Sequence, residues 1–311
     1  MTGDDPRADS SEPKPIPLLD PGVLAELEAI RRLFRPHARS ATAGAHLGRK
    51  RGGHAEFSEH RAYVAGDDLR RVDWSAFARG GAPVTKVFRA EEDVAVRLVV
   101  DASASSGFGT PPKLEVAKRV AAAVAYLALA ESERAEVSSA RERLSVTSPP
   151  VRGRAGLSTV LRALDGLVAS GETRLADVVD DVLVRYRRPG SLVVLSDFFD
   201  PGPWESALGR ARAAGHDLSL VQVLADEEVS PPWDGDVMLV DSENGETVEL
   251  TFDDDVREAY EGRLRGLSTR LSQIATRLRG SYVKVVGAPH LPTIVRSLLT
   301  RKVETWAPSS S

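Results

Sequence analysis

Asp101, Ser103 and Ser105 stand at alternate positions of the stretch Val94 to Gly109, V-A-V-R-L-V-V-D-A-S-A-S-S-G-F-G. Alternate side chains of an extended loop point the same way, so one carboxylate and two hydroxyls can converge on a point. Hard oxygen ligands that converge in this manner suit Mg²⁺ or Mn²⁺. Their placement follows from their neighbours. A run of β-branched and apolar residues (Val94, Val96, Leu98, Val99, Val100) stops at Asp101, a turn of Ala, Ser and Gly follows, and a helical pattern runs from Lys113 to Glu131. That is the pattern of a buried strand, a loop and a helix. Ligands of open α/β sheets sit off the carboxyl ends of strands, which is where these three residues fall.

The design recurs at residues 191 to 200, S-L-V-V-L-S-D-F-F-D, an apolar run that ends in Asp197. If the two strands are neighbours, Asp101 and Asp197 meet across the crevice at the switch point of the sheet. Thr173 follows Gly171-Glu172, begins a helical pattern, and can reach the same crevice. Alone it reads as an ordinary helix N-cap, and a lone Asp after a strand reads as a turn former. It is the combination that points to a site.

The rest of the chain supplies the frame. After the Lys113–Glu131 helix come two short strands (Ala135 to Ser138, Arg143 to Thr147) and helices over Leu157 to Ala169 and Thr173 to Tyr186, split at Gly171. A helix (Trp204 to Ala214), a strand (Leu218 to Leu224) and a hairpin (Asp236 to Val240 and Thr247 to Thr251, turning at Asn244-Gly245) follow the second Asp-ended strand. A long helix (Asp254 to Leu278), a strand (Tyr282 to Val286) and a last helix (Leu291 to Lys302) complete the series. Strands alternating with helices predict an α/β fold, a mostly parallel sheet with helices on both faces.

Upstream the composition changes. Residues 1 to 20 are polar and proline-rich and read as a disordered tail, followed by one amphipathic helix over Pro21 to Phe34. Pro36 to Arg61 is basic and glycine-rich and holds four of the six histidines, His37, His46, His54 and His60. Their gaps match no usual zinc spacing, and a phosphate- or nucleic-acid-binding loop would want interleaved aromatics or a lysine-Ser/Thr ending. A basic loop paired with nearby acids is the simpler reading. From Glu56 to Val94 charges and aromatics alternate, with a turn at Gly66-Asp67-Asp68 and with Trp74 and Phe77 as apolar anchors. Asp67, Asp68 and Asp73 lie beside Arg61, Arg70, Arg71 and Arg79, so ion pairs that fix a module are expected rather than a catalytic acid set. With few aliphatic residues, the block is expected to pack against the main domain.

Composition excludes several classes. A chain of 311 residues, 42% hydrophobic and 28% charged, reads as globular and soluble, and a net charge of -4 gives no overall pull toward nucleic acid. The absence of Cys removes disulfides, thiolate metal sites and Cys nucleophiles. No apolar run approaches the roughly 18 residues of a membrane span, and the acidic N-terminus is unlike a secretory signal, so a cytoplasmic protein is expected.

Asp101, Ser103, Ser105, Thr173 and Asp197, in chain order, resemble the metal-ion-dependent adhesion site of von Willebrand factor A-type domains: an Asp-x-Ser-x-Ser loop, a Thr from a second loop and an Asp from a third. Ser106 stands where such loops often carry Met. The upstream stretch G-H-A-E-F-S-E-H-R-A-Y-V-A-G-D-D-L-R-R-V-D-W-S-A-F-A-R resembles the bacterial family called domain of unknown function 58. Its distinctive residues here are Arg61, Tyr63, Gly66, Asp67, Asp68, Arg70, Asp73, Trp74 and Arg79, and the resemblance runs from about Gly44 to the last helix.

The resemblance implies a von Willebrand A-like, Rossmann-like sheet, with a metal held by the five adhesion-site positions. It also implies genes often beside a MoxR-type AAA+ ATPase, and no settled activity. Many relatives look membrane-anchored at the N-terminus. The expected layout is a tail over 1–20, a helix and β-rich or irregular module over 21–93, the main domain over 94–303 with a hairpin insertion at about 226–253, and a tail over 304–311. The expected function is non-catalytic: Mg²⁺ or Mn²⁺ docks an acidic side chain of a protein partner, a MoxR-type ATPase or a substrate that it remodels. The alternatives are a metal-dependent hydrolase, which needs a general base near the ion, and nucleic-acid binding through the basic loop. His216, between a helix end and a strand start, falls at the wrong edge of the sheet to serve as that base.

Overall fold

The computed structural model describes residues 17–41, 55–64, 67–90, 95–288, 290–300 and 304–305. In chain order the elements are α1 (Pro21–Ala41), β1 (Ala55–Ala62), α2 (Trp74–Gly80), β2 (Val84–Ala90), β3 (Ala95–Asp101), α3 (Lys113–Ala130) and β4 (Arg134–Ala140). There follow β5 (Leu144–Val146), β6 (Val151–Arg152), α4 (Leu157–Asp165), α5 (Leu175–Arg185), β7 (Ser191–Ser196), α6 (Trp204–Ala213) and β8 (Asp217–Leu224). The chain continues with α7 (Asp226–Val229), β9 (Gly235–Val240), β10 (Thr247–Phe252), α8 (Asp254–Arg277), β11 (Ser281–Val286), α9 (Leu291–Thr300) and β12 (Glu304–Thr305). Contacts divide it into two units, residues 1–35 with 95–311, and residues 36–94.

In the larger unit the strands lie in the order β12-β11-β8-β7-β3-β4-β5, with β6 also on β4. Every pair from β12 to β4 is parallel, and β5 and β6 are antiparallel. The mostly parallel α/β sheet expected from the alternation is present. Strand order reverses between β3, whose next strand is β4 on one side, and β7, which leads to β8 on the other. A ligand crevice belongs at that switch point.

Alternation along β3 shows why its sequence must be buried on both faces. Val96, Leu98 and Val100 join α3, α4 and α9 in one apolar cluster, whereas Val99 joins α5, α6 and α8 in the other. Burying a side chain such as Leu98 or Leu195 contributes about 1.5–3 kcal/mol each. Helix α3 packs on the sheet through small residues, Ala121, Ala122, Ala123 and Ala125, all fully buried. Helix α8 starts on Asp253, whose side chain accepts from the Val256 amide at 2.9 Å, and Asp254 and Asp255 complement its dipole.

Several expected boundaries move. Asp20 caps α1, accepting from the Val23 amide at 2.9 Å, and Leu18 is buried in the α3 cluster, so residues within the expected tail belong to the main unit. Leu27 of α1 is fully buried in the same cluster, which puts the boundary between units near residue 35 rather than ahead of the helix. Glu304 and Thr305 form a strand on β11 rather than a tail. Helix α5 starts two residues after Thr173 with Arg174 at its N-cap, so Thr173 is not a capping residue. Among the described residues, no helix is long and apolar enough to cross a membrane.

The smaller unit, residues 36–94, pairs β1 with β2 antiparallel around the 3₁₀ turn Leu69–Arg71 and α2.

Candidate functional site

The site is assembled from the segments after β3, between α4 and α5, after β7 and after β8, together with the turn between β9 and β10. Asp101, the last residue of β3, is 6% exposed and has both carboxylate oxygens engaged. Its Oδ1 accepts from the Ser103 amide at 3.0 Å and from Thr173 Oγ1 at 2.7 Å, and its Oδ2 accepts from Ser196 Oγ at 2.6 Å. One carboxylate thus ties together the loops after β3 and before α5, and the end of β7.

The hydroxyls gather beside it. Ser103 Oγ lies 3.0 Å from Ser105 Oγ, which in turn donates to Glu243 Oε1 at 2.9 Å. Oxygen ligands at right angles around Mg²⁺ are about 2.9 Å apart, since each sits about 2.0–2.1 Å from the ion. The serine pair already has that separation. Ser106, at the position after the second serine, donates to the Ser103 carbonyl at 2.7 Å. It braces the loop. Backbone bonds from the Ala104 amide to the Gly171 carbonyl (2.8 Å) and from the Ser170 amide to the Ala102 carbonyl (2.9 Å) fasten the Thr173 loop to the serine loop.

Asp197 follows β7 and is 8% exposed. It lines the same small crevice as Asp101, Ser106, Lys113 and Ser196. Its carboxylate is shared, though. Oδ2 accepts from Lys113 Nζ at 2.5 Å, and Oδ1 accepts from the Phe199 amide at 3.0 Å. Lys113, the first residue of α3, also donates to Glu228 Oε1 of α7 at 2.6 Å. Phe198, between the two, holds a left-handed backbone (φ 63°) while 2% exposed, so packing against Trp204 fixes the turn that aims Asp197.

Electrostatics follow from this arrangement. Burial pushes the Asp101 carboxyl above its ordinary range, and the nearby Asp197 charge adds to that, against the hydrogen bonds from Ser196, Thr173 and Ser103. Burial works against the Lys113 ammonium, but Asp197 and Glu228 outweigh it and hold the group above its usual value. Glu228 is raised by burial despite Lys113. Two carboxylates, Asp197 and Glu228, share the Lys113 ammonium, while Asp101 feels the Asp197 charge and Glu243 reaches Ser105 and the Thr173 amide. The donor set is all oxygen, three hydroxyls and carboxylate, and it fits a hard divalent ion.

Of the residues singled out from the sequence, Asp101, Ser103, Ser105 and Thr173 are joined by hydrogen bonds, and Asp197 stands beside Asp101 through its charge and a small crevice that both line. Lys113, Ser196, Glu228 and Glu243 belong to the site and carry no local sequence signal. His216 lies at the opposite end of the sheet, ahead of β8, where its Nδ1 is 3.4 Å from Arg97 Nη1.

The smaller unit spends its acids on structure. Asp67 accepts from Arg61 Nη2 on both oxygens, at 2.8 and 2.9 Å, and from the Val64 amide at 3.0 Å. The amide bond first, and then Arg61, hold its carboxyl below the usual range. Asp68 accepts from the Arg70 amide at 3.0 Å. Asp73 caps α2 through the Ser75 and Ala76 amides, both at 3.0 Å, and its other oxygen meets His60 Nε2 at 3.0 Å. The Tyr63 amide donates to the Pro83 carbonyl at 3.0 Å, and Trp74 stacks edge-on against Phe77 at 6.2 Å. Arg70 and Arg79 are exposed. Gly66, His46, His54 and the rest of the basic loop from 42 to 54 lie outside the described residues, as does the side chain of His37.

Comparison with known proteins bears on identity. Residues 59–269 match the family described as "Protein of unknown function DUF58". Uncharacterized proteins of Mycobacterium tuberculosis (Rv1480) and Mycobacterium bovis (Mb1516) are 32% identical over 277 residues, which span 88% of this chain and 84% of theirs. Among solved structures, the conserved hypothetical protein BatB from Bacteroides thetaiotaomicron aligns with 67% of this chain and 98% of its own at 14% identity and a TM-score of 0.46. A von Willebrand factor type A protein from Catenulispora acidiphila aligns with 70% of this chain and 44% of its own at 17% identity and a TM-score of 0.40. The sequence match over two thirds of the chain, across the Arg/Asp module and the Asp-x-Ser-x-Ser strand alike, establishes that this protein belongs to the DUF58 family.

Proposed function

We propose that the crevice between β3 and β7 is a metal-dependent adhesion site and that the protein is a non-catalytic binding or scaffold protein. The observation that supports this reading is the hydrogen-bonded chain that links Asp101 to Thr173 Oγ1 and to the Ser103–Ser105 loop at the switch point. These residues would hold Mg²⁺ or Mn²⁺, with Asp197 supplying charge from behind. When bound, the ion offers an open position to an anionic oxygen. The neutral hydroxyls of Ser103, Ser105 and Thr173 leave more of its charge available than carboxylates would. A partner's Asp or Glu is the matching ligand, and a MoxR-type AAA+ ATPase is the partner proposed.

The rival reading as a hydrolase wants a general base at the ion. His216 is buried among Arg97 and Gly190 at the far end of the sheet, where burial and then the Arg97 charge push its pKa down. It serves the fold.

Pull-down of the ATPase from the native host, with Mg²⁺ and with EDTA, tests the proposal. Enrichment in Mg²⁺ that disappears in EDTA and in Thr173→Ala and Ser105→Ala is expected, with the melting temperature little changed, because removing a hydroxyl at an open crevice leaves no large cavity. Equal binding by these variants in both buffers would move the docking surface elsewhere.

A further inference from the structure

The β9–β10 hairpin is an arm fixed at two places. At its base Phe252 is buried, stacks edge-on against Trp233 at 5.7 Å and lies under the Arg257 guanidinium at 5.0 Å. Arg257 also donates to the Pro231 and Trp233 carbonyls, each at 2.6 Å. Along the strands the ribbon is open: Met238, Val240 and Val248 are each more than half exposed. At its tip a single side chain goes inward. Glu243 is half-buried while Asp241, Ser242, Asn244, Gly245 and Glu246 are exposed.

That side chain touches both halves of the site. Oε1 accepts from Ser105 Oγ at 2.9 Å, and Oε2 accepts from the Thr173 amide at 3.3 Å. The turn behind it is pre-formed. The Asp241 amide donates to the Glu246 carbonyl and the Gly245 amide to the Asp241 carbonyl, both at 2.8 Å. The Glu243 amide donates to Asp241 Oδ1 at 2.8 Å, and the Glu246 amide to Asn244 Oδ1 at 2.7 Å. Gly245 takes the left-handed conformation (φ 77°) that closes the loop. Little conformational freedom remains for the tip to lose on docking, which is what a competitive internal ligand requires.

We propose that Glu243 is the resident acidic ligand of the crevice, and that an acidic side chain of a partner binds by displacing the hairpin tip. This rests on the reading of the crevice as an adhesion site. It adds that the site is occupied from within, so the free protein is in a closed state and partner affinity is set by the difference between two carboxylates. The hairpin strands, anchored at the base and exposed along the face of Met238, Val240 and Val248, give the tip somewhere to go.

The test compares the full chain with Glu243→Ala, without metal and with Mn²⁺. Hydrogen exchange at the Thr173 amide, which donates to Glu243, is expected to quicken at least about tenfold in the variant while β3 amides keep their protection. Calorimetric Mn²⁺ titration, repeated with millimolar acetate as a free carboxylate, is expected to show tightening by acetate in Glu243→Ala and none in the parent. Asp101→Asn should remove Mn²⁺ binding in either background. Unchanged exchange at Thr173 with Mn²⁺ binding intact would overturn the resident ligand and leave the adhesion site standing. Faster exchange with no Mn²⁺ binding in parent or variant would overturn the adhesion site, and the resident ligand with it.

Discussion

Arg97 and Asp101 lie on the same face of β3, four residues apart, each about 6% exposed, one at either end of the strand. At the amino end the charge is fully answered. Arg97 donates from Nε to Glu136 Oε1 at 3.1 Å and from Nη2 to the Arg188 carbonyl at 3.1 Å, reaches His216 with Nη1, and lies 4.3 Å from the Tyr186 ring centre. At the carboxyl end Asp101 is held by the Thr173 and Ser196 hydroxyls and the Ser103 amide, while Lys113 pairs with Asp197 and Glu228. Burial of charge is therefore a poor marker of function in this protein. Two buried networks share one strand, and what separates them is that one is built round a cation paired with a carboxylate and the other round a carboxyl held by hydroxyls beside a second acid.

The contrast can be broken from either side. Arg97→Met should have the largest effect on stability, about 3–5 kcal/mol in urea unfolding, because it leaves Glu136, 4% exposed, as an unpaired buried charge. A loss under about 1 kcal/mol would show that the amino-end network is not closed. Lys113→Met should cost nearly as much without metal, since Asp197 and Glu228 lose their shared cation, yet millimolar Mg²⁺ should restore part of the loss. Arg97→Met should gain nothing from Mg²⁺. Failure of the ion to tell these variants apart by melting temperature would sink the distinction.

Asp101→Asn keeps the shape of the hub and relieves repulsion with Asp197, so its stability is expected to change by less than about 1.5 kcal/mol. Its Mn²⁺ affinity should fall at least about 10–100-fold. The smallest effect concerns pH at the amino end. Burial, with the Glu131 charge adding to it, pushes Glu133 from 4.5 to about 7. A folded-state pKa above the unfolded one means that the folded chain holds the extra proton, so stability is present below pH 4.5 and declines as pH rises toward 7. Glu133→Gln should flatten that decline in melting curves taken across the interval. Glu28 acts oppositely, held near 2 by Tyr126 and Arg31, so its contribution is lost as pH falls from 4.5 toward 2.

How much of this was legible depended on the range of the interaction. The Asp-x-Ser-x-Ser loop could be read because its geometry is local: alternate residues after a strand share a direction whatever packs around them. Asp197 could be read because an apolar run that stops at an acid repeats the pattern at β3. Lys113 could not, since the first residue of a helix looks like any surface lysine until Asp197 and Glu228 arrive from 84 and 115 residues away. Glu243 was hidden likewise, 138 residues from Ser105 in a turn whose composition only announces a hairpin. Thr173 could be read for its hydroxyl, whereas the helix expected to begin there starts at Leu175. The helix begins later because Arg174 sits in an extended conformation, its amide held by the Arg141 carbonyl.

The edges of the main sheet carry a last consequence. β5 and β6, three and two residues long, divide the outer side of β4 between them, and β11 is bordered by the two-residue β12. A parallel sheet of long apolar strands would otherwise present rows of free amides and carbonyls to any extended chain. Short outer segments leave little template for a foreign strand to register. Deleting residues 304–311, which removes β12, is the change by which this protein would be expected to start self-associating as it ages in solution.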